Sequence, residues 1–347
     1  MFATLLGSLP RPPLPADARP EELLVAVVRA QEAAGLEPVT DGGFGIGASV
    51  VERWRATAAL TDRPVKQALL GPYSAGRAAI AAAGTAAQTE VGGTAAQTEV
   101  TLAAAAQTGV GGTEAQTEVG GTAAQTEVTL AAAESLHADL LALAAAGCPL
   151  IEIHEPAATD IAADDFQRAL FRDAHRLLLE GVANVHLSLA ITGGNAAAAG
   201  VETLLAAPYA SLAVDLIAGP DNWRLVVATP GERGIVCGAL SAQRDSDDLP
   251  EVLLWAGGYA SSTRGRGRIR VGLASASSLA RLPWEVAVRK LAVLGEAARL
   301  ADLAPADRRL RLDPRTVDIR SAALGRVEPW RARPPRPPRP EARRRRP

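Results

Sequence analysis

Large rings, thiols and surplus positive charge are all scarce in this chain. Aromatic residues make up 3% of its 347 residues, so the core must be assembled from Ala, Leu, Val and Ile, and the hydrophobic fraction of 48% is ample for that. The two cysteines, Cys148 and Cys237, are too few for a disulfide framework. Each lies in an apolar stretch that reads as a buried strand or its entrance, which points to a reducing compartment. There is no run of about 18 apolar residues, and "MFATLLGSLPRPP" has no basic segment ahead of a long apolar one. The expectation is a cytoplasmic protein with no membrane partner. Eight Arg and one Glu between 331 and 347 give that stretch +7, so residues 1–330 carry −9 against the whole chain's −2. An acidic body excludes nucleic acid as a partner of the folded part, because phosphate contacts need a basic surface.

What is present divides into a patterned body and two biased segments. "GTAAQTEVGGTAAQTEVTLAAA" from Gly84 returns with one change from Gly112, an offset of 28 residues. Ala, Thr, Gln, Glu and Gly cannot bury enough surface to offset ordering entropy, so residues 84–128 are expected to form a low-complexity surface insertion. The end "RARPPRPPRPEARRRRP" (331–347) reads as an extended, solvated tail whose partner, if any, is acidic. Residues 306–330 are then a C-terminal extension, and 1–83 with 129–305 form one domain.

Within that domain, short apolar runs alternate with amphipathic stretches. The expected strands are 3–9, 36–42, 65–73, 149–155, 184–191, 211–217, 234–240 and 269–275. Helix-like segments such as 20–35, 164–181 and 283–300 lie between them, the last opened by Pro283. Eight such units predict an α/β fold, a single (β/α)8 TIM barrel, with an open doubly wound sheet as the alternative. Barrel sites occupy the C-terminal ends of the strands, so the expected site draws on Ser8, Asp41, Tyr73, His154, Glu155, His186, Ser188, Asp215 and the serines of 275–278.

Two strands carry the chemistry. In "IEIHEPA" (151–157) Glu152 and His154 alternate with Ile151 and Ile153, so both face the barrel interior. His186 and Ser188 are likewise two apart. Taken as the ends of three adjacent strands, His154, His186 and Asp215 offer two imidazoles and a carboxylate, a set that can bind Zn²⁺ or Fe²⁺. The glycines of "DGGFGIGA" (41–48) do not make a nucleotide-phosphate loop, and no G-x-S-x-G elbow occurs.

The order of motifs resembles the cobalamin-independent methionine synthase family, within the wider uroporphyrinogen decarboxylase and methionine synthase-like superfamily. "LLGSLPRP" (5–12) is similar to that family's opening strand, "QEAAGLEPVTDGG" (31–43) to its second, and "LLGPYS" (69–74) to a Gly-Pro turn. "GCPLIEIHEPA" (147–157) resembles "G...IQIDEPA", and "VHLSL" (185–189) a His-x-Cys strand. "DLIAGPDNW" (215–223) and 270–291 resemble the later acidic strand and the segment before the last helix.

The resemblance implies methyl transfer to a small thiol acceptor held as thiolate by zinc, with a folate as methyl donor. It implies His186 and Asp215 as metal ligands, with Ser188 and Ser277 at or near the positions of two zinc cysteines. It implies Ser8 as a substrate contact; together with the strand-end positions, His154 and Glu155 are the expected catalytic residues and Asp41, Tyr73 and Glu152 the further expected substrate contacts. His154 stands where an aspartate would hold the substrate ammonium, and Gly43 where a glutamate would. Loss of both thiolates and both carboxylates leaves two rivals: a non-catalytic ligand- or partner-binding barrel, or a metal-free decarboxylase-like enzyme using Arg11 and Arg53.

Overall fold

The computed structural model describes residues 1–89, 121–243, 248–304 and 307. Seven parallel strands, β1 (Phe2–Thr4), β2 (Lys66–Leu70), β3 (Leu150–His154), β4 (His186–Ile191), β5 (Ser211–Asp215), β6 (Gly234–Leu240) and β7 (Val271–Ser275), form one curled sheet. Its order is β1-β7-β6-β5-β4-β3-β2, so the first and second strands are the two edges. Helices return the chain between strands: α1 (Pro20–Ala34), α2 (Val50–Ala58), α3 (Pro72–Thr89), α4 (Thr122–Ala145), α5 (Asp165–Leu179), α6 (Val201–Leu204), α7 (Trp223–Ala228), α8 (Pro250–Ser262) and α9 (Trp284–Asp302).

The strand expected over 36–42 is not a strand. It contributes one parallel bridge, Val39 with Val65. Glu37 N–H donates to the Ala3 carbonyl at 2.8 Å and Lys66 N–H to that of Val39 at 2.9 Å, so the segment lies between the two edge strands. Pro38 has no amide hydrogen to offer a ladder, and its carbonyl is taken by the Thr4 hydroxyl at 2.9 Å. Among the described residues the fold is therefore an α/β curled sheet of seven parallel strands, where eight were expected.

Alternation along the strands separates two apolar regions. Ile151, Ile153, Leu187, Leu189, Ile191, Leu212 and Val214 face the helices and join the main core. Leu6, Ala190, Ala213, Val236 and Ala274 form a second, smaller cluster on the concave face, with Phe2 against it. Small side chains are what this curvature allows: a Cβ on Gly272 would stand 2.5 Å from the Phe2 ring.

The ends of the expected insertion are helical, because α3 runs to Thr89 and α4 begins at Thr122. The body of the repeat, 90–120, and the extension and tail from 308 onward lie outside the described residues. Helix α4 is long and apolar enough to cross a membrane by length and composition alone, although Leu140 and Leu143 on it belong to the protein core.

Candidate functional site

The concave face carries an uninterrupted line of charge. Lys66, at the start of β2, places its ammonium 2.8 and 2.9 Å from the two oxygens of Glu152 on β3. His154 Nε2 lies 2.7 Å from Glu152 Oε1. Lys66 and Glu152 are each 2% exposed, and the His154 side chain is 15% exposed at the C-terminal end of its strand. Burial would raise the Glu152 pKa, but the Lys66 charge and then the His154 contact outweigh it and bring the carboxyl down to about 2. Glu152 is thus ionised and doubly engaged, and His154 is held by it in a fixed orientation at the rim.

Other expected residues lie at the same rim but are already committed to structure. Glu155 is fully buried and accepts from Tyr73 N–H at 3.0 Å and Ser74 N–H at 2.8 Å, capping the start of α3. The buried His175, which the sequence reading did not single out, stands 3.1 Å from it with its other ring nitrogen on the Tyr209 hydroxyl. Tyr73 itself is 0% exposed, and its hydroxyl donates to Gln167 on α5. Asp215, 1% exposed, accepts from Ile217 and Ala218 N–H at 2.8 Å each and from Gly193 N–H at 3.1 Å. Burial raises its pKa despite those amides, and its oxygens fasten the turns that follow β4 and β5.

Ser8 and Asp41 remain at the rim. Ser8 is half-buried, with its backbone tied to the Ser278 hydroxyl in both directions at 3.2 Å. Gly43 packs on Ser8 so closely that a Cβ would lie 2.8 Å from the serine oxygen, and its φ is +91°. A glutamate at that position is excluded by contact and backbone together. Asp41 accepts from Gly43 N–H at 2.9 Å, and burial raises its pKa against the opposing pull of that amide and of Arg53. Ser275 pairs with the Leu6 backbone, so Ser275 and Ser278 stitch the end of β7 to the residues that follow β1. Arg11 donates to the carbonyls of Pro15 and Ala16.

His186 is the main correction. It begins β4, paired with Leu150, and Asp215 ends β5 beyond Val214, which pairs with Ile191. Six residues of strand put roughly 20 Å between the two levels, an order of magnitude more than a metal–ligand bond. His186 Nε2 instead meets the Ser211 hydroxyl at 2.8 Å. At the C-terminal end of that strand the interior positions are Ala190 and, just after it, Thr192. Ser188 lies between, 2% exposed, and its hydroxyl oxygen has no hydrogen-bond partner.

No group of three or more His, Cys, Asp or Glu side chains placed to hold a metal occurs among the described residues. Cys148 and Cys237 are buried, and burial pushes their thiols to about 11 and about 12, far from a thiolate donor. The residues therefore do not fit a zinc centre.

The chain shares its fold with cobalamin-independent methionine synthase-like proteins. A B12-independent methionine synthase from Shewanella sp. W3-18-1, solved with selenomethionine, superposes with a TM-score of 0.60 at 14% identity, over 89% of this chain and 99% of that one. A putative vitamin-B12 independent methionine synthase from Listeria monocytogenes gives 0.56 at 14%, over 87% and 97%. A methyltransferase from Methanosarcina mazei gives 0.54 at 14%, over 86% and 94%. No protein-family model and no curated protein sequence matches this chain.

Proposed function

We propose that the chain is a methyltransferase of the methionine synthase-like type that activates a small thiol acceptor without zinc, at the C-terminal rim. The observation that carries this reading is the 2.7 Å contact between His154 and Glu152, with Lys66 behind it. A carboxylate that orients an imidazole at the mouth of a sheet is the arrangement of a general base. His154 takes the thiol proton, and the sulfur attacks the methyl carbon of a folate-type donor. The donor's carbon–nitrogen bond breaks with its electron pair left on nitrogen, and a proton returns to that nitrogen. Ser8 and Asp41 line the place where the acceptor would sit, and the segment 36–42 would supply the eighth position of a closed barrel.

The test uses full-length protein purified without chelator or affinity tag. Zinc should be far below one per chain, and methyl transfer from a methylated folate to homocysteine should survive EDTA. The change His154→Gln should lower turnover by about a hundredfold or more. One zinc per chain, lost in His186→Ala or Asp215→Asn, would overturn the zinc-free reading. A second reading, a non-catalytic ligand-binding barrel, draws support from the structural engagement of Glu155, Tyr73 and Asp215. Absence of any turnover by the wild type, with ligand binding retained, would favour it. The decarboxylase-like alternative loses a carboxylate grip, since Arg11 is spent on backbone carbonyls.

A further inference from the structure

A cavity of about 330 Å³ opens at the other end of the sheet, where the strands begin. Its inner wall is polar: Lys66, Glu152, His186, Ser188 and Ser211 all line it, and Phe2 and Val236 give it an apolar side. It is distinct from the C-terminal rim, because Leu6, Ala190, Ala213, Val236 and Ala274 fill the space between. The proposed methyl transfer engages Glu152 and Lys66 from the His154 side and leaves the cavity itself without a role.

Two features make it a binding site in search of an occupant. The first is Ser188, which lines the cavity and whose buried hydroxyl has no partner, although a buried hydroxyl without one is costly. The second is the charge arrangement. Lys66 and Glu152 neutralise one another at 2.8 and 2.9 Å, and at the mouth Glu232 and Arg270 add one charge of each sign. His186 stands exposed at the edge of the cavity, with one ring nitrogen on the Ser211 hydroxyl at 2.8 Å. An anion could reach Lys66, or a cation Glu152, only by leaving the other buried charge without its counter-ion. An uncharged hydroxyl disturbs neither.

We infer that this cavity binds a small, uncharged, polyhydroxylated molecule of the polyol or monosaccharide class. Its hydroxyls would engage the Ser188 hydroxyl, the third ammonium hydrogen of Lys66 and the ring nitrogen of His186 not bonded to Ser211, while its C–H face lies against Phe2 and Val236. The volume falls in the range of small-molecule pockets and suits a compound of monosaccharide size.

Calorimetric titration of the full chain with glycerol, erythritol, ribose, glucose and myo-inositol tests this, with gluconate and glucosamine as charged counterparts. At least one uncharged compound should bind saturably, and its charged counterpart at least tenfold more weakly. Ser188→Val should weaken the binding about tenfold, the size of one lost hydrogen bond with its desolvation. In the wild type, the same compound should slow diethylpyrocarbonate acylation of His186 at least threefold and leave His137 unchanged, a readout that needs no variant. Asp41→Asn should leave the binding intact, which separates this site from the proposed catalytic one. Failure of every uncharged compound to bind, preference for a charged one, or binding indifferent to Ser188→Val would overturn the inference.

Discussion

Glu152→Gln is the change whose consequence can be worked most fully from the structure. The substitution keeps shape and removes charge, leaving the Lys66 ammonium buried with only a neutral amide beside it. Breaking a buried pair from one side costs on the order of 3–5 kcal/mol. A second route gives a similar figure. The carboxyl falls from an ordinary 4.5 to about 2 on folding, and a shift of that size corresponds to about 3 kcal/mol of stability. The sign follows from the direction: the folded-state pKa is depressed, so this stability is fully present above pH 4.5 and is lost as the pH falls towards 2. Urea denaturation of wild type and Glu152→Gln should therefore differ by about 3 kcal/mol at pH 7, with roughly two-fifths of that gap gone by pH 3.5. Taking the difference between the two proteins cancels the titration of every other carboxylate. The double variant Lys66→Met, Glu152→Gln should be more stable than Glu152→Gln alone, because no buried charge is left unpaired. A gap below about 1 kcal/mol at pH 7, or one that does not change between pH 7 and 3.5, would refute the reasoning.

Three further outcomes are expected. Gly43→Glu, which restores the residue type of the resembled family, should destabilise by about 2 kcal/mol or more, because φ is +91° and Ser8 occupies the Cβ direction; an unchanged Tm would contradict this. Gly295→Ala should separate α1 from α9, since the added Cβ would overlap the Ala34 carbonyl, and the loss should exceed about 2 kcal/mol in denaturant. Neither Cys148 nor Cys237 should react with Ellman's reagent within minutes at pH 8 in the native protein, and both should react once it is unfolded, because burial holds the thiols protonated.

Most of the architecture was legible from alternation and punctuation. The run 234–240 coincides with β6, and 149–155 and 211–217 overshoot β3 and β5 by a residue or two. The run 36–42 failed because an apolar pattern does not reveal whether a proline will stand where a ladder donor is needed. The repeat misled at its edges for the opposite reason. Its Ala-rich ends have strong helix propensity and continue the neighbouring helices, with Thr129 and Ala133 packed inside. The site was legible by face and not by level. Alternation puts Glu152 with His154, and His186 with Ser188, on one side of their strands, but period two says nothing about which end of a strand faces the chemistry. The roles of Glu155 and Asp215 depended on backbone amides brought from 80 residues away or from the next turn, which no local pattern encodes.

The inner cluster of Leu6, Ala190, Ala213, Val236 and Ala274 closes the passage between the two ends of the sheet, yet Lys66, Glu152 and His154 run past it in one hydrogen-bonded file. The interior of the curled sheet is thus a wall between its two ends that three bonded side chains nevertheless cross, so that a change of side chain at His154 reaches residues lining the cavity at the other end. Each end can change its ligand by mutation without blocking the other, so long as that file of three is kept.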